Sequence, residues 1–193
     1  EAEQRKAAAI AHLDASVGQL LKQLDDPKLA EHTVLIFTSD NAAQKDGLCD
    51  PAFFASNGPF RGVKGDLTEG GLRVPLLVRW PKHIKPGTTN DLPVALWDLF
   101  ATAAELSGVK DPPATDGVSL VPTLLGQPQK AVREFLYWES HERGFAQALR
   151  VGEWKGIRTK PDAPLELFHL ARDPGESRNV SADYPGVVKH LET

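Results

Sequence analysis

The sequence has no methionine and a single cysteine among its 193 residues. Because methionine is absent, we expect that Glu1 is not a translation start and that the chain is processed or is one piece of a longer protein. One cysteine cannot form an intramolecular disulfide, which excludes a disulfide-stabilised scaffold. No apolar run reaches the roughly 18 residues that a membrane-spanning helix requires, and no signal peptide is recognisable.

An excess of basic residues is also lacking. Lysine and arginine number 22 against 26 aspartate and glutamate residues, which gives a formal net charge of −4 at pH 7. Nucleic-acid-binding surfaces are normally basic, so no nucleic-acid partner is predicted. Hydrophobic residues make up 41% and charged residues 25% of the chain, which is typical of a folded globular protein and not of a disordered one.

The first part of the chain alternates helical and strand patterns. Apolar residues between Ile10 and Leu24 recur at helical spacing and predict a helix packed on a sheet. The continuous apolar runs 33–38 and 74–80 predict two strands buried on both faces, as in a parallel sheet. A second helix is predicted over 94–106. Helices that alternate with buried strands indicate an α/β fold.

The character of the sequence changes after residue 128. Four short strand patterns follow, and a terminal helix is predicted with Asp183 as its N-cap and Pro185 in its first turn. Together they indicate a small antiparallel sheet with one helix. The strand patterns cover 134–138, 146–151, 154–158 and 166–170. We therefore predict an α/β region over 1–128 and a small α+β domain over 129–193.

Asp40 and Asn41 follow the first predicted strand at its carboxyl end, where ligands bind in open α/β sheets. Carboxylate and amide oxygens are the hard ligands that Ca²⁺ and Mg²⁺ prefer, so the pair is a candidate cation site. The same residue types are common in turns and caps, and their spacing alone leaves that structural role open.

Two glycine-containing stretches, Gly62-Val63-Lys64 and 69–73, lie in the long loop before the second strand. Glycine allows the backbone to approach a ligand closely, and a neighbouring lysine or arginine suits an oxyanion. A solvated loop with turn glycines is the structural alternative. On the predicted hairpin, Arg150, Lys155 and Arg158 either line a cleft for an anionic substrate or form a solvated face.

A series of stretches in a fixed order carries a resemblance to a known family. In chain order they are Leu13-Asp14 with 17–21, 34–41, 56–64, 69–75, 79–81, 116–120, and Asp173-Pro174 with Glu176 and Asn179. Together they resemble the sulfatases, the formylglycine-dependent sulfate ester hydrolases of the alkaline-phosphatase-like superfamily. The resemblance covers essentially the whole chain and is most specific between Gly62 and Pro75. The stretch 50–54 is most similar to the bacterial arylsulfatase and N-acetylgalactosamine-6-sulfatase-like branch.

This resemblance implies an alkaline-phosphatase-like α/β fold, with this chain as the C-terminal part of the main sheet domain plus the small C-terminal domain. It implies that Asp40 and Asn41 bind the active-site calcium and that Lys64 contacts the substrate sulfate as a catalytic and substrate-binding residue. The stretch 69–75 is implied to be a structural turn, so Arg73 receives no catalytic role. The implied parent is a sulfuric ester hydrolase, periplasmic or secreted, that acts on a sulfate ester, with a sulfated glycan as one candidate.

The sequence departs from the family pattern near the predicted cation site. Ala42 stands where the family usually has glycine, and Gln44 and Cys49 stand where related sequences often carry histidine. The family's nucleophile is a formylglycine made from Cys/Ser-x-Pro-x-Arg. The stretch 49–53 imitates this motif but ends in phenylalanine and lies on the wrong side of Asp40. We therefore expect the isolated chain to be inactive.

Two other functions stay open. A phosphomonoester or phosphonate hydrolase of the same superfamily would share the metal-binding aspartate positions. A non-catalytic or degenerate interaction module would be consistent with the changes at positions 42, 44 and 49. Sheet edges left exposed in this chain also lead us to expect self-association.

Overall fold

The computed structural model describes residues 1–25, 27–45, 50–129, 133–142 and 144–193. Helices and strands alternate in the first part of the chain, and consecutive strands follow in the last part. In chain order the elements are α1 (Ala2–Gln23), α2 (Pro27–Ala30), β1 (Leu35–Thr38), α3 (Glu69–Leu72), β2 (Leu76–Arg79), α4 (Asp98–Leu106), α5 (Val121–Leu124), β3 (Leu136–Ser140), β4 (Ala146–Val151), β5 (Trp154–Arg158), β6 (Glu166–His169) and α6 (Pro185–Leu191). Cys49 lies outside the described residues.

Helix α1 forms where the spacing of apolar residues predicted it. Glu3 in its first turn and Lys22 in its last turn complement the helix dipole. The predicted packing on a sheet is wrong for the described residues, because no residue of α1 is buried and Ile10 and Leu13 are 55% and 50% exposed. Helical hydrogen bonds are local, whereas burial requires a covering surface. The described part of the chain does not supply that surface.

Strands β1 and β2 pair in a two-stranded sheet and confirm the two predicted strands in the first part of the chain. Each strand is four residues long, shorter than the apolar run that predicted it. Burial on both faces is not found, since Ile36 and Leu77 are exposed. The apolar composition is sufficient for strand formation, but the two strands that the described residues contribute to this sheet are too few to cover both faces.

The chain divides into two compact units. One contains 1–19, 37–77 and 134–193, and the other contains 20–36 and 78–133. The second unit is organised around one buried carboxylate on α4. Asp98 accepts hydrogen bonds from the backbone N–H groups of Ala95 at 2.8 Å and Val118 at 2.9 Å. These bonds fix the loop before α5 against α4, and the buried charge is balanced by an ion pair with an arginine, Arg133.

The first unit contains a four-stranded antiparallel sheet in the order β3-β4-β5-β6. The β4–β5 register pairs Val151 with Trp154, so the predicted hairpin turn is confirmed. Alternate residues of the sheet point to its core, in which Ala148, Ile157 and Phe168 are buried. The four predicted strands and the terminal helix are all present, and Pro185 lies in the first turn of α6 as predicted, although the N-cap is Tyr184 and not Asp183.

The domain division at residue 128 stays a prediction. Among the described residues, none of the helices combines the length and the hydrophobicity that a bilayer span needs.

Candidate active site

Strand β1 delivers Asp40 and Asn41 to the turn that follows it. Ser39 stabilises this turn by donating from its hydroxyl to the carbonyl of Asn41 at 2.9 Å. The Asp40 side chain is exposed and makes no hydrogen bond or ion pair with other described residues. The Asn41 amide nitrogen donates weakly to the carbonyl of Ala42 at 3.4 Å, which leaves the amide oxygen available as an acceptor. The turn therefore presents oxygen ligands that the fold does not otherwise use.

Lys64 lies on the loop 57–66, called the Lys64 loop below, whose backbone is fixed by several hydrogen bonds. Gly62 adopts φ +98°, a conformation that glycine tolerates, and its carbonyl accepts a hydrogen bond from the Asn57 amide at 2.6 Å. The Asp66 carboxylate accepts the N–H of Val63 at 2.9 Å. The N–H of Lys64 itself donates to the carbonyl of Ala43 at 2.9 Å. This last bond connects the Lys64 loop to the turn that carries Asp40 and Asn41.

Helix α3 packs against the Lys64 loop without space for side chains. The N–H of Gly70 donates to the carbonyl of Arg61 at 2.7 Å. A Cβ atom on Gly70 would lie 2.5 Å from that carbonyl oxygen, and a Cβ atom on Gly71 would lie 2.1 Å from the carbonyl oxygen of Asp66. The two consecutive glycines are therefore required by the close approach of α3 to the loop.

A buried ion cluster joins α3 to the C-terminal sheet. Lys155 of β5 is fully buried, and its ammonium donates to a Glu69 carboxylate oxygen at 2.8 Å. The same ammonium lies 3.0 Å from a Glu176 carboxylate oxygen, an ion pair whose angle is not that of a hydrogen bond. The other Glu176 oxygen accepts the backbone N–H of Glu69 at 2.6 Å. Arg73 completes the cluster with a 2.6 Å bond from its Nε to Glu69.

Burial and the neighbouring cations act in opposite directions on Glu69. Burial alone would raise the pKa of this carboxyl, but the ammonium of Lys155 and the guanidinium of Arg73 outweigh it and hold the pKa below its ordinary value. Burial lowers the pKa of Arg150, and the neighbouring Glu69 partly opposes that shift. Glu69 is therefore ionised at neutral pH, and its cationic neighbours stabilise the buried negative charge.

The sequence left two interpretations open for the cations of the β4–β5 hairpin, a cleft for an anionic substrate or a solvated face. Both are wrong for Lys155. It neither lines a cleft nor faces solvent, because the β5 face that carries it is covered by α3 and by the Glu176 turn. Arg150 is mostly buried and lies 3.7 Å from Glu69, whereas Arg158 pairs with Glu192. Sequence reasoning missed this cluster, since Glu69 and Lys155 are 86 positions apart.

The donor set at Asp40 and Asn41 suits calcium in kind, since it offers a carboxylate and an amide oxygen. It is incomplete in number, because the described residues contain no group of three or more acidic, histidine or cysteine side chains that could hold a metal. Ala42, which stands where the family usually has glycine, is not among the described residues with positive φ, so the alanine causes no backbone strain. Its methyl group is buried. Gln44 is exposed beside this turn.

Comparison with solved structures identifies the class of fold. The sulfatase from Pseudoalteromonas sp. matches with a TM-score of 0.77 at 25% identity, covering 95% of this chain and 40% of that one. The phosphonate monoester hydrolase of Agrobacterium radiobacter matches with a TM-score of 0.72 at 26% identity, covering 95% of this chain and 38% of that one. The predicted alkaline-phosphatase-like α/β fold is thereby confirmed.

Family models narrow this class further. The model described as "Sulfatase" matches residues 3–109, and the model described as "N-sulphoglucosamine sulphohydrolase, C-terminal" matches residues 64–193. Each match covers more than half of the sequence. The chain belongs to the sulfatase family, as the resemblance implied.

Curated relatives agree with this assignment. The steryl-sulfatase of Mus musculus is 35% identical over 91% of this chain and 33% of the relative. The N-acetylgalactosamine-6-O-sulfatase of Bacteroides thetaiotaomicron is 33% identical over 94% of this chain and 39% of the relative. The chain thus spans a third to two fifths of the length of these relatives.

Proposed function

We propose that the protein containing this sequence is a sulfuric ester hydrolase in which Asp40, Asn41 and Lys64 form part of the active site. The observation that carries this proposal is the 2.9 Å hydrogen bond from the Lys64 N–H to the carbonyl of Ala43. It links the loop of the predicted sulfate contact to the turn of the predicted cation ligands. Membership of the sulfatase family supports the reaction class.

The charges suit a sulfate ester. As the S–O bond to the alcohol breaks, negative charge develops on the leaving oxygen and remains on the sulfuryl oxygens. The Lys64 ammonium would bind sulfuryl oxygens and orient the ester, and fixed charges of this kind stabilise a developing oxyanion. Asp40 and Asn41 would hold a calcium ion through their side-chain oxygens. Bound calcium supplies Lewis-acid stabilisation of the same charge.

We assign the nucleophile to a formylglycine in a part of the protein other than residues 1–193. No Cys/Ser-x-Pro-x-Arg motif occurs in this sequence, and the imitation that begins at Cys49 has phenylalanine in the arginine position. We therefore expect the isolated chain to hydrolyse no aryl sulfate. Turnover by the isolated chain at the rate of a complete sulfatase would contradict this assignment.

For the substrate, we propose the sulfate ester of a sugar, and for the location, the periplasm or the exterior of the cell. The sugar is supported by the similarity to a relative named for N-acetylgalactosamine-6-O-sulfate hydrolysis. A steryl-sulfatase is similar to this chain to a comparable degree. A sterol sulfate is therefore the substrate with which the sugar sulfate should be compared.

The test uses the complete protein and two esters of one alcohol, 4-nitrophenyl sulfate and 4-nitrophenyl phosphate. We expect faster hydrolysis of the sulfate, loss of activity on calcium chelation, and a decrease of about 100-fold or more in kcat/KM for Lys64→Ala. Lys85→Ala, which removes an exposed lysine from the loop after β2, is the matched control and should have wild-type activity. Equal activity of the Lys64 and Lys85 variants would refute the role of Lys64.

One observation favours a second candidate function. The phosphonate monoester hydrolase matches this fold as well as several sulfatases do. Preferential hydrolysis of a phosphonate monoester over the sulfate would establish that alternative. Hydrolysis of neither ester by the complete protein, with calcium present, would favour the interaction module.

A further inference from the structure

The Lys155 cluster is the most unusual arrangement of charge in the described residues. Lys155 and Glu176 are almost completely inaccessible to solvent, and Glu69 is 2% exposed. Buried ion pairs often stabilise a protein less than well-packed apolar residues of the same volume would. Stability alone therefore does not explain why three charged side chains occupy this position in the C-terminal core.

Backbone conformation around Glu176 indicates that the position of its carboxylate matters. Glu176 has φ +52°, a left-handed conformation that costs a non-glycine residue free energy. The preceding Gly175 packs closely against the Lys64 loop, since a Cβ atom there would lie 3.0 Å from the carbonyl oxygen of Pro59. The strained turn brings the Glu176 carboxylate within 2.6 Å of the Glu69 N–H, at the start of α3.

The cluster is continuous with the candidate active site. Glu69 is the first residue of α3, and α3 contacts the Lys64 loop through the two glycines that leave no space for a side chain. The loop in turn connects to the Asp40–Asn41 turn through the bond from Lys64 to Ala43. Any displacement of α3 would therefore move the Lys64 backbone relative to the predicted cation ligands.

We propose that Lys155 is a positioning residue that, by joining Glu69 to Glu176, sets the location of α3 and hence of Lys64 relative to Asp40 and Asn41. This inference rests on the proposed function of Lys64. Lys155 touches no substrate in this scheme. It acts through α3, and a small displacement of a catalytic group is enough to cost a large factor in rate.

The test separates positioning from folding with a charge-balanced variant of the complete protein. Lys155→Met/Glu176→Gln removes one charge of each sign and retains an amide oxygen that can accept the Glu69 N–H. Glu176→Gln alone is the milder variant, to be measured in the same way if the double variant does not fold. Lys189→Met, which changes an exposed lysine of α6, is the control.

Two readouts are measured at a temperature at which each variant is folded. The first is hydrogen exchange of the Lys64 amide, which we expect to accelerate at least tenfold while the β4–β5 amides remain protected. The second is hydrolysis of 4-nitrophenyl sulfate, for which we expect a decrease in kcat/KM of at least tenfold that includes an increase in KM. The control should match the wild type in both.

The two proposals fail in different ways. A variant with wild-type exchange at Lys64 and kcat/KM within twofold of the wild type would overturn the positioning role and leave the cluster a purely structural one. A wild-type protein that hydrolyses no sulfate ester would refute the proposed function. In that case the exchange of the Lys64 amide still decides whether Lys155 controls the loop.

Discussion

Similar apolar patterns have opposite outcomes in the C-terminal sheet, β3–β6, and in helices α1 and α4. In the sheet, residues such as Leu167 and Phe168 are at most 2% exposed. In the helices, Ile10 of α1 and Phe100 of α4 are 55% and 53% exposed. Local sequence is sufficient to form all of these elements, but it does not determine whether another part of the chain covers their apolar faces.

Helix α4 is the clearest example of an apolar pattern that does not predict burial, because the residues that it buries are polar. Asp98 and Thr102 are buried and hydrogen-bond to the loop before α5, while Phe100 lies on the exposed side. An amphipathic helix normally places its apolar face against a core. Phe100 of α4 and Ile10 of α1 are therefore left uncovered by the described residues, whereas the β3–β6 sheet has α3 and the Lys64 loop against its core.

The largest expected difference between the two regions is in the cost of removing a phenylalanine. Phe168→Ala should lower the free energy of unfolding by about 3–5 kcal/mol, because it removes a fully buried ring and leaves a cavity. Phe100→Ala, the matched variant, should change it by about 0.5 kcal/mol or less. Urea unfolding followed by circular dichroism measures both. A comparable loss for Phe100 would mean that its ring is covered in solution.

A second comparison uses glycine. Gly71→Ala places a Cβ atom 2.1 Å from the carbonyl oxygen of Asp66, and we expect a loss of about 1–3 kcal/mol as α3 separates from the Lys64 loop. Gly18→Ala in α1 meets nothing within 4 Å and should instead stabilise the helix by about 0.5–1 kcal/mol. Thermal unfolding of the two variants gives both signs. A stabilising Gly71→Ala would contradict the close packing of α3.

The elements were predictable to the extent that their determinants are local. The hairpin of β4 and β5 could be predicted because its strands and its turn are adjacent in sequence, and its register follows from the turn. The helical period of α1 likewise identifies the helix without reference to any partner. The extent of burial in α1, β1 and β2 was overestimated because the patterns indicate an apolar face but not whether the face is covered.

The residue types of the candidate site could be predicted from the sequence, but the buried ion cluster that contacts it through α3 could not. Asp40, Asn41 and Lys64 follow from the family resemblance, and their roles stay predictions. The burial of Lys155 could not be predicted, because an exposed hairpin lysine and a buried one have the same local sequence. Its partners lie in α3 and after β6, and their convergence is a property of the tertiary structure.

Acidification should weaken the buried cluster of Lys155, Glu69 and Glu176. The pKa of Glu69 is lower in the folded chain than its ordinary value of 4.5, so its ionisation contributes stability that is present above about pH 4.5 and is lost as the pH falls through the folded pKa. One such group contributes a slope of at most about 1.4 kcal/mol per pH unit. Urea midpoints measured between pH 3 and pH 7 should fall on acidification in the wild type.

Glu69→Gln removes this titration and should flatten the dependence below pH 4.5, while lowering stability at pH 7. Glu105→Gln is the matched control, since this exposed carboxylate of α4 makes no hydrogen bond or ion pair with the described residues. Its pH dependence should equal that of the wild type. An unchanged slope in the Glu69 variant would show that other carboxylates dominate the acid response.

The smallest expected effect concerns the uncovered faces. Exposed apolar side chains on α1 and the edges of the two-stranded β1–β2 sheet favour association, so the 193-residue chain should self-associate as its concentration increases. Ile10→Ser and Leu13→Ser each remove roughly 1 kcal/mol of apolar burial from such a contact, and the pair should raise the dissociation constant by about an order of magnitude or more. Lys22→Ser on the same helix is the control. Sedimentation equilibrium measures the constants, and a compact monomer at all concentrations would show that these apolar faces do not drive association.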